Sequence, residues 1–245
     1  MNEPARPRSR RSRGVIAAGM LALAIGFIAL GIWQLYRREW KHALIAAVDT
    51  RVHAAPLSAP GPAAWSSISA EKDAYRRVRI TGRLLNDREV LVKAVTDEGA
   101  GYWVLTPLQG QDFTVLINRG FVPPERRSPA KRAAGNISGP VTVTGLLRVT
   151  EPHGGFLRTN DPAHGRWYSR DVAAIAQAQH LTRAAPYFID ADATPNPGGY
   201  PIGGLTVVHF SDNHLGYALT WFALAGLALF GGWRVLNDKQ AKTGA

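Results

Sequence analysis

The sequence predicts a membrane protein of the α+β class: two transmembrane helices, N- and C-terminal, flanking a β-rich, antiparallel, barrel-like extracytoplasmic domain. Three observations predict it. Two stretches without a charged side chain, residues 14–36 and 215–233, stand near the two ends of the 245-residue chain. The segment between them is mostly polar and of domain size. From Tyr75 onward that segment breaks into short runs rich in β-branched and aromatic residues, punctuated by Gly, Pro and Asn.

A helix needs about 20 apolar residues to cross a hydrocarbon core of roughly 30 Å. Residues 14–36 carry one strongly polar side chain, Gln34, and residues 215–233 only Thr220, so both satisfy that length. The first span, preceded by "RPRSRRSR", could be a cleavable signal, but a signal core is about 7–15 residues ending in small side chains. This one is longer and runs into "WQLYRREWK", so it is read as an anchor. Arg6, Arg8, Arg10, Arg11 and Arg13 precede the first span, and Arg234, Lys239 and Lys242 follow the second. The positive-inside rule then places both termini in the cytoplasm. Arg37, Arg38 and Lys41 vote the other way, but long translocated domains largely override their own charge.

The expected division is a basic N-terminus (1–13), the first span (14–36), a juxtamembrane helix and linker (37–74), the β-rich domain (75–210), the second span (211–233) and a cytoplasmic tail (234–245). In the linker, "RREWKHALIAAVDTRV" keeps helical spacing, and "HAAPLSAPGPAAWSS" reads as an extended connector. Strands are expected over "YRRVRITGRLL", "REVLVKAV", "GYWVLTPLQ", "DFTVLINRGFV", "PVTVTGLLRVT", "PYFIDA" and "LTVVHF". Asn86-Asp87 suggests a hairpin turn between the first two, and "RDVAAIAQAQHL" a short helix starting at Asp171.

Composition excludes several functions. The chain has no cysteine, and its methionines are Met1 and Met20, which removes the soft ligands a Cu(I) carrier needs. The net charge of +11 is partly the Arg-rich N-terminus, suited to topology and anionic lipid. The remaining basic residues are scattered and no base-reading motif is present, so nucleic acid is not the expected partner; the lipid bilayer is. No G-x-S-x-G, H-E-x-x-H, Walker loop or G-x-G-x-x-G occurs, and "GGYPIGG" sits between strands as a turn. The chain is therefore read as a non-enzyme.

Among seven histidines, His214 has the distinctive address, the first turn of the second span on its outer side. His209, five residues earlier, misses the spacing that would pair the two on a helix. His214, Ala218, Trp221 and Ala225 share a helical face, with Tyr217 beside them. Small positions there would leave a groove whose aromatics stack on a flat apolar ligand, and a neutral imidazole can ligate haem iron. Amphipathic side chains placed at the bilayer interface explain the same pattern, and both readings stand. On the first span, Ala18, Ala22 and Gly26 form a small-residue stripe at spacing four, open to a partner helix. Trp33 and Gln34 lie at its outer end, with Arg37, Arg38 and Lys41 above.

The elements "GIWQLYRREWK", "YRRVRITGRL", "VLINRGFVPPERR", "TNDPAHGRWYSRD" and above all "DNHLGYALTWF" resemble, in order, the successive motifs of the Surfeit locus protein 1 family, from about Gly31 to Trp233. The resemblance implies an assembly factor for haem-copper cytochrome c oxidase that assists haem a insertion into subunit I, alongside the haem a biosynthesis machinery in a bacterial cell inner membrane. It also implies haem a bound transiently, with His214 as the iron ligand. Asp212, often a second Asn in the family, and Phe121, often Trp, are departures that leave open which terminal oxidase is served.

Two further expectations come from the residues alone. Haem propionates at that level would meet cations leaving the first span. Arg37 is expected to face inward with Trp33 and Gln34, and Arg38 outward, because adjacent helical residues diverge by about 100°. The competing readings are a structural chaperone that never touches cofactor, and a tethered enzyme or solute-binding module, which would need a convergent polar pocket in the middle domain.

Overall fold

The computed structural model describes residues 10–155, 157–206 and 212–237. It divides into two compact units: Met1–Ala46 with His209–Ala245, and Ala47–Val208.

The first unit is an antiparallel helix pair. Helix α1 runs unbroken over Arg10–His53, 44 residues or about 66 Å, so it continues well beyond the first apolar stretch, as its spacing suggested. Its closing residues belong to the second unit. The last helix, α4, covers His214–Asn237. Both are long and apolar enough to cross a membrane.

Their contact follows a heptad pattern. On α1 the less exposed positions are Ala17, Met20, Ala24, Phe27, Gly31, Gln34 and Arg38, alternating steps of three and four. On α4 they are His214, Ala218, Trp221, Ala225, Ala228 and Gly232, on the same rhythm. Such a 3.5-residue repeat keeps two helices in contact along their length. The small-residue stripe expected over Ala18, Ala22 and Gly26 is exposed instead. A strict spacing of four drifts off a 3.5-residue seam, so the stripe lies one position away from the contact. Close approach is set by Gly31, where a Cβ would come within 2.5 Å of the Phe222 ring.

The second unit is a mixed sheet of seven strands. After α1 come β1 (Leu57–Ser58), a 3₁₀ turn at Pro62–Ser67 and the short helix α2 (Ala70–Asp73). Then follow β2 (Arg77–Leu84), β3 (Val90–Thr96), β4 (Gly99–Gln109), β5 (Thr114–Val122), β6 (Pro140–Val149), α3 (Val172–Ala178) and β7 (Ala184–Ala191). The order is β1-β2-β6-β7-β5-β4-β3, and β4 also pairs with β2 through Arg83↔Gln109 and Leu84↔Leu108. That extra pairing closes β2-β6-β7-β5-β4 into a five-stranded barrel. Closure removes open sheet edges from the ring.

Most pairings are antiparallel, but β1–β2 and β5–β7 are parallel. The hairpin expected at Asn86-Asp87 does not form. Strand β2 pairs with β6, and β3 instead pairs with β4 across the Asp97-Glu98 turn. The Asn86 amide is used otherwise, donating to Ile137 O at 3.0 Å. The expected last strand over 205–210 lies mostly outside the described residues, and Leu205 and Thr206 are not in a strand.

The core sits on both faces of β5 and β7. Val115, Ile117, Tyr187 and Ile189 point into the barrel with Val78, Leu108 and Leu147. Leu116 and Phe188, at alternate positions, pack with Val92, Leu105, Trp167 and Ile175 beneath α3. A side-chain period of two gives one strand two interiors; each fully buried aliphatic contributes about 1.5–3 kcal/mol. The Asp171 side chain caps α3, accepting from Ala174 N–H at 3.1 Å. Phe121 is buried edge-on to Trp103, with ring centroids 6.2 Å apart. Its neighbour Gly120 has φ +128°, and a Cβ there would lie 2.0 Å from Ile202 O.

The connector before β2 belongs to the barrel's packing. Trp65 and Ile68 pack against the core, and Pro60 O accepts from the buried Tyr187 hydroxyl at 2.7 Å. Burial pushes that phenol's pKa up.

Candidate functional site

At the end of the helix pair where α4 begins, the heptad seam turns from apolar to polar. Phe27 and Trp221 stack at 5.7 Å with planes 24° apart. Two turns further along that seam on each helix, His214 Nδ1 lies 2.8 Å from Gln34 Oε1. With the amide oxygen accepting, the neutral ring that fits this contact carries its proton on Nδ1 and leaves the Nε2 lone pair open. A hydrogen bond on one ring nitrogen thereby sets what the other can do. Among the described residues, Nε2 makes no hydrogen bond.

Beyond this pair stands an acidic link. Asp212 Oδ1 accepts from His214 N–H at 3.0 Å, holding the first turn of α4. Its Oδ2 meets His42 Nε2 at 2.6 Å and Arg38 Nε at 3.8 Å. Gln34, Arg38 and His42 follow one another at spacing four, so all three face α4. The hydrogen bond from His214 N–H, followed by that from His42, holds the Asp212 carboxyl below its usual range.

The structure places the expected site residues as follows. His214 and Gln34 are in direct contact. Trp221 lines the same seam but stacks on Phe27, so the groove expected between its small positions is filled by α1. Ala218 and Ala225 are buried there. Tyr217 is 58% exposed and Trp33 is 54% exposed, both outside the seam.

Arg37 and Arg38 exchange their expected places. Arg37 is exposed, its guanidinium 4.7 Å from the centre of the Trp40 ring, while Arg38 reaches Asp212. The expectation grouped Gln34 with Trp33, but those neighbours lie about 100° apart on a helix. Gln34 belongs with Gly31 and Arg38. Sequence reasoning missed Arg38, His42, Asp212 and Phe27; the three-four alternation from Ala17 to Arg38 was the signal for two of them, Phe27 and Arg38. His209 lies outside the described residues.

The donors fit a haem-binding role in one respect: an imidazole with one nitrogen anchored and the other open is an axial-ligand donor. No group of three or more His, Asp or Glu suited to a metal ion occurs among the described residues.

The barrel holds a second polar cluster. Asp190, 3% exposed, accepts from Asn118 at 2.7 Å, Arg148 at 2.7 Å and Thr206 at 2.9 Å, with Arg170 at 3.3 Å. Glu151 receives Arg170 at 2.6 Å and 2.9 Å. Two guanidinium groups meet two carboxylates, so the charges balance internally and the cluster ties β5, β6 and β7 together.

Comparison with known proteins points one way. The SURF1 family model matches residues 21–226. A SURF1-like protein of Monosiga brevicollis is 35% identical over 237 residues, covering 90% of this chain and 87% of its own. Surfeit locus protein 1 of Mus musculus is 35% identical over 222 residues, covering 84% of this chain and 70% of its own. The Homo sapiens protein of that name is 34% identical over 226 residues, covering 84% and 72%.

Proposed function

Since this chain belongs to the SURF1 family, we propose that it is a membrane-anchored assembly factor for cytochrome c oxidase, with His214 and Gln34 as its contact for haem a. The observation that carries the haem contact is the 2.8 Å bond between His214 Nδ1 and Gln34 Oε1. It orients the ring and reserves Nε2 as a donor at the outer mouth of the helix pair. When bound, haem a supplies an iron for that nitrogen, a flat apolar macrocycle and propionates that favour the water side.

The chain's own residues divide the work. His214 offers the donor atom, and Gln34 holds its tautomer. Asp212 keeps the first turn of α4 in place through His214 N–H, while Arg38 offsets its charge and His42 hydrogen-bonds its other oxygen. The Arg-rich N-terminus and the two apolar helices support cytoplasmic termini with the barrel outside. Subunit I of the oxidase is the receiving partner, and the role is one of delivery rather than turnover.

The test is the absorption spectrum of the full chain purified in detergent from cells that make haem a. The expected result is a haem spectrum in the wild type that is lost in His214→Ala at unchanged protein yield. A colourless wild type, or an unchanged spectrum in His214→Ala, refutes the contact.

A second reading has its own support. The Phe27–Trp221 stack and the Asp212 link account for several of these residues as fasteners of the helix pair alone. A structural chaperone of oxidase subunits follows from that reading, and normal oxidase assembly by His214→Ala would favour it.

A further inference from the structure

Arg119, on β5 in "NRGF", is 3% exposed. Its Nη2 donates to Gly135 O and, at 3.0 Å, to Asn196 Oδ1. Its Nη1 is buried with no hydrogen-bond partner among the described residues. Nor does any described carboxylate lie within ion-pair distance of this guanidinium. The contrast with Arg132, 5% exposed, is direct: both of its terminal nitrogens are held by the Glu89 carboxylate. Glu89 is hydrogen-bonded to Arg132 and reaches Arg119 only through its field, not at hydrogen-bond or ion-pair distance.

Arg119 lines a cavity of about 110 Å³. Roughly 10–15 Å³ suffices for one water, so this space admits a ligand of several heavy atoms. Ile117, Ile137, Val143 and Ala191 supply apolar wall, and Asn196 and Asp192 supply polar edge. Asp192 has one oxygen occupied by Thr194 N–H at 3.1 Å. A buried N–H donor left without a hydrogen-bond partner carries a free-energy penalty that an acceptor oxygen in the cavity would relieve. Burial presses the Arg119 pKa down to about 10, which still leaves the group charged at neutral pH.

We propose that this cavity is a binding site for a monocarboxylate with a short aliphatic body, its head group paired with Arg119 and its body against the Ile117–Val143 wall. A planar guanidinium matches a carboxylate in shape and charge. The lining holds one cation, Arg119, and one acid, Asp192, beside an apolar wall, so a dianion with no aliphatic body, such as hydrogen phosphate, is opposed more strongly than a monocarboxylate. Two sources share this chemistry, a free short-chain acid and the C-terminal carboxylate of a polypeptide ending in an aliphatic residue.

The test uses the full chain in detergent and reads thermal unfolding against sodium isobutyrate, with sodium chloride and sodium phosphate at matched ionic strength. The expected result is a saturable rise in Tm with isobutyrate only. The apparent Kd should weaken at least tenfold in Arg119→Lys, and the rise should vanish in Ala191→Phe, which fills the cavity and keeps the guanidinium. A tripeptide Ala-Ala-Val binding tighter than isobutyrate, with its C-terminal amide inert, assigns the site to a chain terminus. Tighter binding of isobutyrate assigns it to a free acid. The absence of any isobutyrate-specific rise in the wild type, or the same rise in Ala191→Phe, overturns the proposal.

Discussion

Gln34 and His214 are 180 residues apart in sequence and meet at 2.8 Å, the carboxamide oxygen of one facing the ring nitrogen of the other. Neither residue is unusual at the end of a membrane helix. Their pairing converts a side chain that could sit at an interface for amphipathic reasons into one with a defined proton position.

Gln34→Leu tests that relationship. The apolar replacement leaves His214 present but free to change tautomer and orientation. Haem affinity should fall about 10- to 100-fold, the usual consequence of losing the partner that orients a metal-binding imidazole. Titration of the purified protein with haem, followed by absorbance, measures it. An affinity equal to the wild type would remove Gln34 from the site.

The Asp212 link should depend on acid. Because its folded pKa is depressed, its contribution is fully present above the ordinary aspartate pKa and disappears as pH falls through the lowered value. Comparing Asp212→Asn with the wild type cancels other titrating groups. The wild type's advantage in Tm should be constant above about pH 5 and shrink below about pH 4. A difference that stays flat down to pH 2 would contradict the link.

Arg38→Gln and Arg37→Gln separate the two neighbouring cations. Arg38 faces Asp212 at 3.8 Å, a partly exposed pair worth at most about 1 kcal/mol and sensitive to salt. Tm in low salt should drop slightly in Arg38→Gln and stay unchanged in Arg37→Gln, and the difference should close in 1 M salt, where the screening length is roughly 3 Å. A larger effect from Arg37→Gln would reverse the assignment.

The seam can be read by cross-linking, since the chain contains no native cysteine. A Cβ at Gly232 would lie 3.5 Å from Met20 Cβ, so a Met20→Cys, Gly232→Cys pair should oxidise readily. Adding Ala24→Leu overfills a fully buried position, at a cost of about 1–3 kcal/mol, and should lower the yield. Ala22→Leu, on the exposed stripe, should not. Equal effects would mean the stripe and the seam both make contact.

The barrel's boundary can be tested with fragments. Residues 54–206 keep the Pro60–Tyr187 bond and the Trp65 packing, whereas 75–206 loses both. The shorter fragment should be less stable by at least about 2 kcal/mol, because a buried hydroxyl is left without its acceptor. Urea unfolding followed by circular dichroism compares them. Equal midpoints would make the connector dispensable.

The sequence by itself determined what depends on local chemistry. Runs of uncharged residues at both ends dictate spanning helices, since a lone segment in lipid satisfies its backbone hydrogen bonds within itself only as a helix. Alternating β-branched residues dictate the strands, and Asp171 the start of α3. The motif around His214 singled out that residue before its contact with Gln34 was visible. Only the tertiary structure decided which strands pair: turn residues at Asn86-Asp87 allow a hairpin, but β2 finds its neighbours in β6 and β4 through long-range packing. The same holds for the helix pair. Trp33, Gln34, Arg37 and Arg38 were all candidates for the inward face. A rotation of one residue, about 100°, separates the face carrying Gln34 and Arg38 from the one carrying Trp33 and Arg37, and only the packing of Ala24, Gly31 and Ala218 sets that rotation.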